Sequence, residues 1–468
     1  MAASSPRSPD WARALAILLA LLLAPWTAAA QTVEPSGEET EIAGRARLRI
    51  GFELKGHWRD SDLVRFPIRT PFPPEALPVG QSQAFQETVD AGSHAELSML
   101  TLWLAAEWRE RWAAKLKLDL VDRYDRNPTS EDRSYDVDEA WIRWGREAEP
   151  AVPPPGRGLY VKLGKIPKFE RQDDRHLESY GLISTAFNRF EDVGLELGFD
   201  LAPQLYLKAS FTQGNPVFFR DPNALAGDNG ISIFDGSVLN PDPELKSGFP
   251  ILYDADTEEL DFDNPELGLG LGVRFAGAAG FYGVDVLAWH YQRDLADEVD
   301  MGGTFYGGDL DLLLGPGNAI SLPVTGREKQ ETGANLWLYA GGFSFFAQYV
   351  DQDLAGLPLT GFEAEAAWAF DLPLFATFAG RQVLPYVQPA IRFSKLDPDF
   401  VGDRRYPAPS VWWYWEKFDL GLRLGLLEGL DLTVEWILGE FVRAGREESD
   451  DEFLATVRWE LGREVLRR

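Results

Sequence analysis

The chain has 468 residues, with 74 Asp and Glu against 45 Lys and Arg and a net charge of −29. That balance opposes a nucleic-acid partner, whose polyanion is held by clustered cations. The absence of cysteine excludes a small disulfide-stapled fold, and 13% aromatic residues are too many for a disordered acidic chain.

Residues 1–30 read as a cleaved secretory signal. Arg7 and Arg13 precede the apolar run Ala14 to Ala24, and Ala28-Ala29-Ala30 before Gln31 has the small-x-small form of a cleavage site. The run is too short for a membrane-spanning helix, which needs about 20 apolar residues, and no later stretch is longer. Residues 31–41 are then a short periplasmic segment, too small for a plug domain.

The first patterned stretch, Ile42 to Trp58, is IAGRARLRIGFELKGHW. Its even positions are apolar or Gly. Its odd positions carry Arg45, Arg47, Arg49, Glu53, Lys55 and His57. A period of two is that of a strand with two unlike faces. The same pattern, or a looser form of it, returns over 94–108, 112–120, 136–145, 158–166, 193–199, 205–211 and 267–275. It continues over 280–291, 332–340, 343–351, 362–368, 387–393, 418–424, 430–438 and 453–461. Sixteen such runs result, many about ten residues long. Soluble strands average about five or six residues, whereas strands tilted across a bilayer need about 9–11.

The connections alternate too. Tight turns fall at Arg109–Glu110, Ala202–Pro203, Gly277–Gly280, Gly341–Gly342 and Glu428–Gly429, all at one end. Long segments, 59–93, 167–190, 214–265, 292–331 and 397–415, fall at the other. Short periplasmic turns and long extracellular loops mark an outer-membrane barrel. The predicted fold class is therefore all-β, a transmembrane antiparallel β-barrel of about 16 strands over 42–461, with 462–468 as a C-terminal tail.

The faces follow from cost. An Arg on the lipid face at the bilayer midplane costs about 2–4 kcal/mol, so Arg45, Arg47 and Arg49 are placed on the lumen side. The same parity assigns Lys55, Lys115, Lys117, Arg143, Lys162, Arg392, Arg423 and Arg458 to the lumen. Lys168, Arg171 and Arg175 lie in the 167–190 segment, which is expected to fold inward and narrow the pore. Most basic lumen positions are in the first five strands, while Glu363, Glu365, Asp419, Asp431, Glu435 and Glu460 make the late strands acidic. Opposed walls of unlike sign would select charged solutes; equally, the charges would merely hydrate the lumen. Small lumen residues (Gly194, Gly198, Gly268, Gly270, Gly272, Gly421) suggest open space or wall curvature. A girdle is expected from Trp58, Trp108, Trp112, Trp141, Trp144, Trp412, Trp413, Trp415, Trp436 and Trp459.

The stretches LYVKLGKIPKFERQ, STAFNRFEDVGLELGFDL and VQPAIRFSKLD resemble the phosphate-selective porin O and P family. The matching positions are Gly164, Lys165, Pro167 and Phe169; Asp192 and Gly194; and Ala390, Arg392, Phe393 and Ser394. The resemblance implies a sixteen-stranded, usually trimeric porin passing phosphate, polyphosphate or other small anions, with lumen arginines and an inward third loop. Its partners would be outer-membrane lipid and small anionic or neutral solutes. Two features depart from the pattern. The late lumen wall is acidic, and the chain ends VRWELGREVLRR rather than on an aromatic residue, which makes Trp459 the expected terminal aromatic.

Other classes fit less well. A barrel enzyme needs a Ser or Cys nucleophile with a His base, and His57, His94, His176 and His290 stand in no GxSxG or HExxH context. The carboxylates Asp254, Asp256 and Glu258 lack the glycine of a calcium loop, so neither a metal nor a cofactor is implied. A scaffold or adhesin using the long loops would fill its lumen with apolar or paired side chains.

Overall fold

The computed structural model describes residues 46–68, 84–87, 91–109, 111–122, 136–154, 156–172, 175–187, 191–214, 217–218, 251–252, 260, 262–277, 282–295, 326–374, 376–399, 413–443 and 445–467. The signal, the 31–41 segment, Arg45, Trp412 and Asp254 to Glu258 lie outside them.

Sixteen long strands form the wall. The first eight are β1 (Ala46–Ser61), β2 (Gly92–Trp108), β3 (Trp112–Asp122), β4 (Asp136–Gly145), β5 (Leu159–Pro167), β6 (Glu191–Ala202), β7 (Leu205–Thr212) and β8 (Glu266–Ala276). The others are β9 (Tyr282–Asp294), β10 (Glu328–Ala340), β11 (Phe343–Leu354), β12 (Leu357–Trp368), β13 (Tyr386–Pro398), β14 (Tyr414–Leu427), β15 (Leu430–Arg443) and β16 (Glu452–Arg467). Each pairs antiparallel with the next in the chain, and β16 pairs back on β1. Each of the sixteen expected runs overlaps one of these strands, with 42–45 and 280–281 outside the described residues. Closure leaves no edge whose N–H and C=O groups would need water.

Two features differ from expectation. Strand β16 continues to Arg467, with Ile50 opposite Arg463 and Leu48 opposite Leu466, so residues 462–467 are wall rather than tail. A backbone-paired strand is the lower-energy state there, because β1 offers it a partner along its whole length. The turn Ala355–Gly356 lies at the end that carries the long segments, although it is as tight as those at the other end. Its φ angles of 56° and 88° suit a two-residue hairpin loop. The wall is uneven in height: β1, β2 and β16 have 16, 17 and 16 residues, whereas β5 and β7 have 9 and 8.

The outer face is apolar over successive strands. Ile50, Leu104, Leu116, Ile142, Leu163, Leu197, Leu269, Val286, Phe362, Ile391, Leu420 and Val457 are all exposed on it. A belt this continuous exceeds what a water-facing surface carries and suits hydrocarbon. Trp112 pairs across to Trp108 on one side and Trp144 on the other, all three exposed at the turn end, the position of an interfacial girdle. Trp141, Trp413 and Trp415 depart from the girdle expectation. Trp415 is fully buried and stacks near Trp413 and Phe441 inside the barrel, because its strand parity turns it to the lumen.

The lumen is partly filled. Residues 168–172 and 175–187 lie inside the barrel, and the second stretch carries a short helix, α1 (Leu182–Ala186). Leu182, Ile183 and Phe187 join an apolar cluster with Trp289, Tyr291, Trp337, Phe346, Val350, Leu359, Leu396 and Trp415. The lumen glycines are seats rather than gaps. A Cβ on Gly198 would stand 2.0 Å from the Tyr160 ring, on Gly272 2.0 Å from Tyr206, and on Gly421 2.2 Å from Leu177. The expectation of open space at these positions is corrected: small residues leave room that a neighbouring ring or the inward segment takes up.

Candidate functional site

The inward segment is held on the acidic late wall. Glu435 accepts hydrogen bonds from the backbone N–H groups of Glu178 and Ser179, and from Ser179 Oγ at 2.6 Å. Glu365 accepts from the His176 N–H at 2.8 Å and Glu363 from the Ile183 N–H at 3.3 Å. Cations complete the seam. Arg392, wholly buried, donates to Asp419 at 2.7 Å and to the Ser179 carbonyl at 2.9 Å. Lys417 donates to the Tyr180 carbonyl at 2.7 Å. The carboxylates that made this wall acidic in the sequence are thus engaged by backbone donors and internal cations, as buried charge requires.

Glu178 is the segment's own charged contact with the wall. It lies 3.0 Å from Lys55 Nζ and accepts from Arg423 at 2.9 Å. Burial pushes its carboxyl up, but the Lys55, Arg423 and Arg458 charges outweigh it and hold the group down at about 2. Arg458 in turn lies 2.9 Å from Glu53. Arg175 does not line open space: its guanidinium sits 4.2 Å over the Tyr180 ring.

Opposite this seam, a cavity of about 530 Å³ opens between β3–β10 and the start of the inward segment. Its basic lining is Lys115, Lys117, Arg143, Lys162, Lys168, Arg171, Lys208 and Arg274. Its acidic lining is Glu139, Glu147, Glu149, Glu196, Asp200 and Asp285. The balance is two positive charges. Six of these basic groups were expected at the pore from sequence; Lys208 on β7 and Arg274 on β8 join them from the lumen side of their strands.

Glu147 organises one side. It is 2.9 Å from Arg143, 3.0 Å from Lys162 and 3.3 Å from Lys208. Burial raises its carboxyl, yet Lys162, Lys208 and Arg143 together depress it well below the ordinary range. It comes from connection 146–158, which enters the lumen from the turn end. There the Ala151 N–H reaches across to Asp285 at 3.0 Å. Lys115 meets Glu139 at 2.7 Å, Lys117 meets Asp138, and Arg171 meets Glu191. Tyr160 donates to Glu196 at 2.5 Å and Tyr206 to Asp285 at 2.6 Å. Lys115, Lys117, Arg143, Arg171 and Lys208 keep part of their side chains open to the cavity.

The structure therefore splits the expected cationic positions into separate places. Six gather at the cavity. Lys55, Arg423 and Arg458 stand around Glu178, and Arg392 is sealed behind Ser179. Arg47 and Arg49 lie near the turn end, where Arg49 meets Glu107 at 3.3 Å in the open. Arg45 lies outside the described residues. Sequence parity missed Glu147, Glu149 and Tyr160, since two of them sit in a Pro-rich connection with no period and the third is an unremarkable strand tyrosine.

No protein-family model and no curated protein matches the chain. Among solved structures it is similar to the outer membrane channel DcaP of Acinetobacter baumannii. That protein is 9% identical, with 91% of this chain and 100% of that one covered and a TM-score of 0.49. It is also similar to OprB of Pseudomonas putida, 11% identical over 97% of each chain with a TM-score of 0.45. A third is Salmonella typhi OmpF, solved in complex with daunomycin, 11% identical with 88% and 97% covered and a TM-score of 0.46.

Proposed function

We propose that this chain is an outer-membrane porin of a Gram-negative-type bacterium, a passive channel for small hydrophilic solutes that favours anions such as phosphate. The observation that carries this reading is the cavity inside a closed, apolar-faced barrel, lined by eight basic and six acidic groups. An anion entering it exchanges water for several partly open ammonium and guanidinium groups. Each of these is already set in place by a carboxylate partner, which limits the ordering cost on binding. The carboxylates keep the net field weak, so solutes are attracted without being trapped, the condition conduction requires. The motifs around Gly164, Asp192 and Arg392 support the anion class and a homotrimer. Export by the N-terminal signal fits the same location.

A second reading is favoured by one specific observation. The apolar cluster around α1 and the paired charges beside it fill part of the lumen, as a barrel scaffold or adhesin would. Planar-bilayer recording of the refolded protein separates the two. Stepwise conductance with an anion-selective reversal potential in a salt gradient is expected for the porin. No conductance steps would leave the scaffold, and a cation-selective potential would remove the anion assignment. Cross-linking in detergent reads the trimer directly.

A further inference from the structure

We propose that the inner wall near the loop-rich end carries a divalent transition-metal site of the zinc class, built from His57 on β1 and His94 and Glu96 on β2. One ligand atom from each of the three lies within 4.8 Å of the others. His57 Nε2 is 3.0 Å from Glu96 Oε1, and His94 Nε2 is 3.9 Å from the same oxygen. A tetrahedral ion with bonds of about 2.0–2.1 Å holds its ligands about 3.3 Å apart, between these two separations.

A local irregularity makes the site. Lower on β2, Leu104 is exposed on the outer face, and by strict alternation residues 94 and 96 would share that face. The register instead skips Ser98, with Lys55 opposite Met99 and Gly56 opposite Leu97. This β-bulge puts Leu97 on the outer face and turns Glu96 and His94 inward, opposite His57 and Arg59. Ser98 Oγ pins it by donating to the Lys55 carbonyl at 3.2 Å.

The surroundings suit a bound ion. The His57 side chain is fully buried, whereas those of His94 and Glu96 are 27% and 25% exposed. The wall side is therefore dry, and the lumen side is left for entry and a fourth ligand such as water. The His94 Nε2 atom is buried and makes no hydrogen bond among the described residues. Arg59, the cation paired opposite His94, lies 3.6 Å from Glu452, which offsets it. Two imidazoles and one carboxylate prefer zinc and its neighbours over calcium or magnesium, which seek oxygen ligands. A His57–Glu96 contact alone would satisfy those two groups. It gives no reason for a bulge that brings His94 to the same point.

The test uses the full chain refolded in detergent, stripped with EDTA and titrated with Co²⁺, whose visible absorption reports tetrahedral nitrogen and oxygen ligation. One Co²⁺ per chain, displaced by Zn²⁺, is expected. His94→Ala and Glu96→Gln should each weaken binding by about tenfold or more. Both side chains are partly exposed, so these variants should fold, and heat-dependent gel mobility verifies the barrel. Absence of the cobalt band in the wild type, or unchanged affinity in both folded variants, overturns the proposal. The readout does not depend on conductance, so it stands or falls apart from the porin reading.

Discussion

Glu178→Gln should release the inward segment from the wall. In the wild type the carboxylate is 4% exposed and its pKa is brought from 4.5 to about 2 by Lys55, Arg423 and Arg458 acting against burial. At about 1.36 kcal/mol per unit, its charge contributes about 3 kcal/mol to docking near neutral pH. That figure agrees with the lower end of what removing one partner of a buried pair costs, about 3–5 kcal/mol. Docking weaker by about 3 kcal/mol raises the released population by about two powers of ten. Arg423 loses its carboxylate while Lys55 keeps Glu53 at 3.3 Å, so the perturbation falls on the segment rather than on the wall ladder. Limited trypsin digestion reads the population, because Arg171 and Arg175 become cleavable when the segment leaves the lumen and cleavage of a rapidly opening segment tracks its open fraction. The sign with pH follows from the depressed value. The contribution is whole above about 4.5 and is lost as pH falls toward about 2. Protection of the Glu178 and Ser179 amides, taken relative to their intrinsic exchange rates, should therefore fall as pH drops across that window in the wild type. In the Gln variant this contribution to the fall is absent. Equal tryptic rates in the two proteins near neutral pH would refute the reasoning.

Replacing Lys115, Lys117, Arg143 and Lys208 together by Gln should move the reversal potential toward cations. Arg47→Gln with Arg49→Gln should move it far less, since Arg49 is half exposed at the turn end and screened by salt; the opposite order would show that the cavity does not set selectivity. Gly198→Ala places a Cβ 2.0 Å from the Tyr160 ring, whereas Gly156→Ala meets nothing within 4 Å. The first should lower the urea midpoint by an amount equivalent to about 1–3 kcal/mol and the second should leave it nearly unchanged; equal midpoints would contradict the seat assignment. Leu163→Arg, on the outer face and 55% exposed, should cost about 2–4 kcal/mol in lipid, read as reduced folding yield into vesicles; a yield equal to wild type would argue against a lipid-facing Leu163.

The barrel was legible because a membrane wall writes itself residue by residue. Each strand needs one apolar face, so Ile50, Leu163 and Leu420 are recognisable from their immediate neighbours, and the alternation of tight and long connections follows from antiparallel crossing. An inward fold of the 167–190 segment was foreseen, but its seat was not. Glu178 and Glu435 are 257 residues apart, and only closure of the sheet brings their strands and segment together. Strict alternation breaks between 94–97 and the rest of β2, where one extra residue reverses the faces without leaving a mark in composition. The open-space reading failed at the glycines, because a missing side chain says nothing about which ring will take its place. Local patterning, then, determined the class of fold, the strand order and the sign of each face. The tertiary structure decided which charges cancel, which remain open to the cavity, and where His57, His94 and Glu96 converge, since those outcomes depend on distances between strands that no single strand encodes.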